Sequence, residues 1–218
     1  MLTREQARTE LTGPGADYEI EKRMLYGAEI RSFKNGPHTL RDLFNDNRSD
    51  LDFFVYQEER YSFQQTYDRA SQIAQLLQRE HNIVKGDRVA ISMRNYPEWV
   101  FSFMAVTSIG GVAVAMNALW TTEEMEYGLT DSGAKVLIAE RAKRIQPVLD
   151  KLQLTMLTVR SEIKPALESA IASQPTDMPV VEVNPEDMAT ILYTSGSTGH
   201  PKGAVSCHLN ILSALKSW

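Results

Sequence analysis

The sequence has one cysteine, Cys207, in 218 residues. No disulfide can form within the chain, and such cysteine usage fits a reducing compartment. No apolar run approaches the length needed to span a bilayer. The opening stretch, MLTREQARTELTGPGADYEI, lacks the apolar centre of a secretory signal. A cytoplasmic location is expected. Positive charge is not in excess: 23 Lys and Arg face 28 Asp and Glu, a formal net charge of −5. With no basic stripe, nucleic-acid binding has little electrostatic support. An anionic ligand must be held by local donors, because the overall field does not attract it. The G-x-G-x-x-G dinucleotide fingerprint is also missing.

What is present is an ordinary globular composition, 43% hydrophobic and 23% charged, in a chain long enough to bury a sizeable core. Strand and helix patterns alternate. Strands are expected at LDFFVYQ (51–57), RVAISM (88–93), VAVAM, KVLIA (135–139) and, more weakly, TMLTVR. A helix follows Ser62 and Gln65, a capping box, with Ala70, Ile73, Ala74 and Leu77 on one face. A second opens near Pro97 and stops at Gly110-Gly111; a third opens with Thr121 and Glu124 and stops near Gly133; RAKRIQPVLDKL makes a fourth. Short apolar strands joined by helical crossovers imply an α/β fold, a mostly parallel sheet with helices on both faces. Residues 1–50 read as an N-terminal extension and lead-in, with a short helix in HTLRDLFNDN. Residues 161–187 carry four prolines and are expected to run over the surface. MATILYT (188–194) returns to a buried strand.

That strand leads into ILYTSGSTGHPKGAV, residues 191–205. A phosphate offers several acceptor oxygens and negative charge. Thr194, Ser195, Ser197 and Thr198 supply hydroxyl donors, Gly196, Gly199 and Gly203 supply backbone freedom, and Lys202 supplies a compact positive charge. Gly196 and Lys202 have the spacing of the G-x-x-x-x-G-K-[ST] loop of nucleotide hydrolases. Pro201, however, stands where the second Gly belongs, and Gly203 replaces the hydroxyl that would hold magnesium. A flexible Ser/Gly linker would not have apolar strands abutting both ends.

YTSGSTGHPKGAVSCHLN resembles the phosphate-binding signature of the AMP-forming adenylating superfamily, which holds acyl-CoA synthetases, luciferases and peptide-synthetase adenylation domains. Ser197 stands where the common form has Thr; Pro201-Lys202-Gly203 and the pair His208 and Asn210 match. The stretch from Gly86-Asp87 to Glu140 is similar to the N-terminal part of these enzymes. It has Asn95 before Glu98-Trp99, Gly110-Gly111 before a strand, and Asp131-Ser132 before Lys135-Val136-Leu137-Ile138. The resemblance implies ATP-dependent activation of a carboxylic acid, for instance a fatty acid, to an acyl-adenylate, then transfer to coenzyme A. It implies that Thr194, Ser195, Gly196, Ser197, Thr198, Gly199 and Lys202 hold the ATP phosphates, with Lys202 and Thr198 catalytic. Magnesium would bridge the phosphates, and no residue is assigned as its ligand. His208 would start a helix beside the acyl site.

The resemblance covers only the opening third of such enzymes, and residues 51–218 read as a partial adenylation domain. The later glutamate for magnesium, the ribose-binding aspartate, the C-terminal lysine and the coenzyme A site are not in this chain. It is therefore expected to be a fragment that does not complete the reaction alone. A second copy or a complementing chain is the candidate macromolecular partner. Two alternatives stay open: a non-catalytic nucleotide-binding or interaction module, and an amino-acid adenylation domain. Other residues have plain expectations. His38, His81 and His200 are placed at the surface; Cys207, Trp99, Phe101 and Phe103 in the core; Trp120 at a turn; and Arg141, Lys143 and Arg144 on a solvated helix face.

Overall fold

Local exchanges of hydrogen bonds open the first elements. Thr3 with Gln6 and Thr39 with Asp42 form capping boxes that start helices α1 (Arg4–Thr12) and α2 (Leu40–Asp46). Between them, β1 (Ile20–Leu25) and β2 (Ala28–Phe33) pair as an antiparallel hairpin. The structure, a computed structural model, describes residues 2–161, 166–194 and 200–217, with the side chain of Ala142 left out.

The strand expected at 51–57 is present as β3 (Asp52–Tyr56), but it is not part of the main sheet. It pairs with β4 (Glu59–Ser62) as a separate hairpin, and Phe54 and Tyr61 lie against Phe101 at ring distances of 5.9 and 5.0 Å. The alternating units then follow as expected: α3 (Phe63–Arg79), β5 (Arg88–Ser92), α4 (Pro97–Ser108), β6 (Val112–Ala115), α5 (Thr122–Ser132), β7 (Val136–Ala139), α6 (Ala142–Leu152) and β8 (Thr155–Thr158). The Ser62–Gln65 and Thr121–Glu124 boxes both form. Gly133 ends α5 in the left-handed region, φ 60°, where a Cβ is unfavourable. The chain continues through α7 (Leu167–Ile171), β9 (Met188–Thr194), β10 (Lys202–Cys207) and α8 (His208–Lys216).

The six-stranded sheet has the order β10-β9-β6-β5-β7-β8. Every neighbouring pair is parallel except β9 and β10. Strand alternation divides the core into two layers. Val89, Ile91, Ala113, Val136, Ile138 and Leu157 face α3 and α4. Ala90, Val114, Leu137, Ala139 and Met156 face α5 and α6. Ala70, Ile73, Ala74 and Leu77 of α3 are fully buried; each Ile or Leu so placed contributes about 1.5–3 kcal/mol.

Two expectations about burial need correction. The 161–187 connection is not all superficial, because Leu167 and Ile171 of α7, four residues apart, are buried against the α3 layer. β9 is buried only at Ala189 and Thr190; Met188 and Leu192 are about half exposed, because β9 lies one strand from the sheet edge. The first fifty residues dock on the same body. The Arg41 guanidinium donates to the Ser108 and Pro179 carbonyls at 2.8 and 2.7 Å, and Lys216 Nζ donates to the Asp17 and Asn35 carbonyls at 3.0 and 2.6 Å. Arg160, just after β8, joins three elements, reaching Glu98 at 2.9 Å and Glu59 at 2.8 Å. No helix among the described residues is long and apolar enough to cross a membrane.

Candidate functional site

β9 runs parallel to β6, so Thr194 stands at the carboxyl edge of the parallel strands, the edge at which open α/β sheets bind ligands. The chain returns as β10, with Lys202 opposite Thr194 and Gly203 opposite Tyr193. The Thr194 hydroxyl donates to the Lys202 carbonyl at 3.4 Å. Ser195, Gly196, Ser197, Thr198 and Gly199 lie outside the described residues. The described part of the expected phosphate-binding set is therefore its two flanks. Both Thr194 and Lys202 are exposed. Lys202 forms no ion pair with another described residue.

Gly203 was expected to supply backbone freedom, and the structure gives a different reason for it. It sits in a regular ladder, where a Cβ would come within 2.9 Å of Ile191 Cγ2 and 3.5 Å of the Tyr193 ring. Glycine at this position makes room for the side chains of β9.

Those side chains reach α5. The Tyr193 hydroxyl donates to Asp131 Oδ2 at 2.6 Å and lies 3.3 Å from the Gly128 carbonyl. Burial first, and then the hydrogen bond to Asp131, push the phenol well above its ordinary pKa, so it stays protonated as a donor. Trp120 meets the Tyr193 ring edge-on at 5.5 Å, and has more than a turn-anchoring role. On the far flank His200 is exposed, as expected, but not simply solvated: its ring stacks on Tyr127 at 4.8 Å and 19°. Tyr127, Asp131 and Tyr193 all fall within the stretches of resemblance, but sequence reasoning assigned none of them a role.

At the other end of β10, Cys207 is buried beside Leu25 and Leu209, as expected of a packing cysteine. Asn210 Oδ1 accepts from the Cys207 N–H at 3.1 Å and caps α8. His208 starts α8 as expected and is wholly buried. Its Nδ1 accepts the Leu40 N–H at 3.0 Å, while Nε2 has no partner among the described residues. Burial holds its pKa down at about 4, against the opposing pull of Asp187 and Asp42.

A second polar cluster stands at the carboxyl end of β7. Glu140 is buried and accepts the Arg94 N–H at 2.9 Å, the Arg94 guanidinium at 2.9–3.1 Å and the Tyr96 hydroxyl at 3.1 Å. Burial alone would raise its pKa; these donors outweigh burial and hold it below the ordinary value. Arg141, Lys143 and Arg144 are exposed as expected, although Arg144 also donates to the Ala118 and Trp120 carbonyls. His38 is exposed, whereas His81 is half-buried and burial lowers its pKa. No cluster of three or more His, Cys, Asp or Glu side chains that could hold a metal occurs among the described residues.

A family model described as AMP-binding enzyme matches residues 43–218. The chain is 36% identical over 147 residues to the long-chain-fatty-acid–CoA ligase FadD13 of Mycobacterium tuberculosis, covering 62% of this chain and 27% of that one. It is 32% identical over 196 residues to the mitochondrial malonate–CoA ligase ACSF3 of Homo sapiens, covering 86% of this chain and 33% of that one. The chain thus spans about a third or less of these relatives. Among solved structures, the anthranilate CoA ligase AuaEII in complex with anthranoyl-AMP superposes with a TM-score of 0.75 at 24% identity, over 83% of this chain and 36% of that one. At that identity the likeness speaks for the fold.

Proposed function

The chain belongs to the AMP-binding enzyme family, and from that premise we propose that it carries part of the ATP site of an acid–thiol ligase. In this reaction a carboxylate attacks the α-phosphorus of ATP, forming an acyl-adenylate and releasing pyrophosphate. The coenzyme A thiol then takes the acyl group, and AMP leaves. Negative charge grows on the phosphates during the first step, so catalysis rests on positioning and on donors fixed where that charge develops. Thr194, Ser195, Gly196, Ser197, Thr198 and Gly199 are assigned to the β- and γ-phosphates, and Lys202 adds its charge. Magnesium, when bound, neutralises phosphate charge, and no residue of this chain is assigned to it. His208 enters as a residue that sets the start of α8 through Leu40.

The observation that supports this reading most is the Thr194–Lys202 pair. Lys202, with no ion pair among the described residues, stands opposite the Thr194 hydroxyl at the carboxyl edge of the sheet, which supports an anion site there. Fatty acid and malonate are the acids to test first, since relatives named for both match the chain; the common class is carboxylic acid. Residues 1–50 are the proposed lead-in, residues 51–218 the partial adenylation domain, and the cytoplasm the proposed location.

The test is ATP–pyrophosphate exchange. It is measured with the chain alone and with a chimera in which residues 51–218 replace the matching part of a complete relative. Exchange is expected in the chimera, falling roughly 100-fold or more in Lys202→Ala and Thr198→Ala, the scale of losing one transition-state donor. ATP binding without exchange in the chimera would favour the non-catalytic module instead.

A further inference from the structure

Both flanks of the 195–199 segment rest on one helix. On entry, the Tyr193 hydroxyl is held by Asp131 at 2.6 Å. On exit, His200 lies flat on Tyr127 at 4.8 Å. Tyr127 and Asp131 are four residues apart and so share a face of α5. Gly128 lies between them in sequence, and a Cβ there would come within 2.7 Å of the Trp120 ring. Its absence lets Trp120 close against α5 and meet the edge of Tyr193. Phosphate chemistry calls for hydroxyls, glycines and a cation; it does not call for rings at 127, 193 and 200.

We propose that α5 is the positioning element of the phosphate loop: Tyr127 through His200, and Asp131 through Tyr193, fix where the two ends of the loop stand. Neither Tyr127 nor Asp131 need touch the nucleotide. By fixing Tyr193 and His200 before ATP arrives, they preorganise the two flanks, which raises affinity without a new contact. This rests on the assignment of the loop to the ATP phosphates, but the grip itself can be read without ATP.

In the free chain, amide hydrogen exchange in peptides covering 193–204 is expected to rise about two- to tenfold in Tyr127→Ala and in His200→Ala, the scale of one aromatic contact. Tyr127→Phe, which keeps the ring, should exchange like the wild type, and β5 and β7 should be unchanged in all variants. Unchanged exchange at 193–204 in both alanine variants would overturn the proposal whatever ATP does. In calorimetric titration with ATP, each alanine variant should bind about two- to tenfold more weakly. The double variant should be no weaker than either single one, because the two side chains form one contact. Additive losses would overturn the coupling. If exchange changes as expected while the wild type binds no ATP, the nucleotide assignment fails and with it the claim that the grip serves ATP.

Discussion

The backbone N–H of Leu40 donates to Nδ1 of His208, a residue 168 positions later, at 3.0 Å. This bond ties the start of α2 to the start of α8. It also fixes the tautomer: an Nδ1 that accepts must be unprotonated, so the ring proton sits on Nε2. The ring is wholly buried, and protonating Nδ1 would break the bond inside the core.

The sign of the pH dependence follows. His208 titrates at about 4 when folded, against 6.5 as its ordinary value. The unfolded chain therefore binds the proton more readily. The stability from neutral His208 is fully present above pH 6.5 and is lost as pH falls towards 4. Between pH 7.5 and pH 5 the loss is about 2 kcal/mol. Urea unfolding at the two pH values checks it. In His208→Gln, which keeps an acceptor without a titrating ring, the difference should shrink by about that amount; His81, half-buried, contributes equally to both proteins. An unchanged pH difference would contradict this role.

Arg160 compensates a buried charge. Its Nε lies 2.9 Å from Glu98, whose side chain is 6% exposed, while Arg160 itself is 29% exposed. Arg160→Met strands the Glu98 carboxylate, a loss of about 2–3 kcal/mol after allowing for the partial exposure of the arginine. Adding Glu98→Gln removes the stranded charge and should restore most of the loss. A double-mutant cycle by thermal unfolding checks this, and a double variant as unstable as the sum of the singles would show the two residues to be uncoupled.

Gly128→Ala separates helix propensity from packing. In an exposed helix the change would stabilise by about 1 kcal/mol. Here the new Cβ meets Trp120 at 2.7 Å and Met116 at 3.1 Å, and overpacking costs about 1–3 kcal/mol. The net expectation is a destabilisation of about 1 kcal/mol, with a changed Trp120 emission spectrum. A stabilised variant would show that Trp120 gives way freely.

Much of the scaffold was legible because its signals are local. The Ser62–Gln65 and Thr121–Glu124 boxes span three residues each, and the Gly133 stop needs only a left-handed φ. Strand order is another matter: β5, β6 and β7 are equally apolar, and nothing within them says that β7 lies on the far side of β5. Leu167 and Ile171 of α7 make too short a pattern to betray burial. The β3 segment reads as a core strand because Phe54 is apolar, yet what it covers is Phe101 and not a neighbouring strand. At the candidate site, the motif led directly to Thr194 and Lys202. Tyr127 and Asp131 were not legible as partners, since Tyr193 and Asp131 are 62 positions apart and meet only once β9 has been laid beside β6.

The Thr194–Lys202 flanks are assigned to a phosphate site, and calorimetric titration of the chain with ATP is the decisive check. ATP should bind, and Lys202→Ala should weaken binding about 10- to 100-fold, the scale of one charge-assisted hydrogen bond. Failure of the wild type to bind ATP, or equal affinity in the variant, would rule out Lys202 as a phosphate-binding residue of this chain.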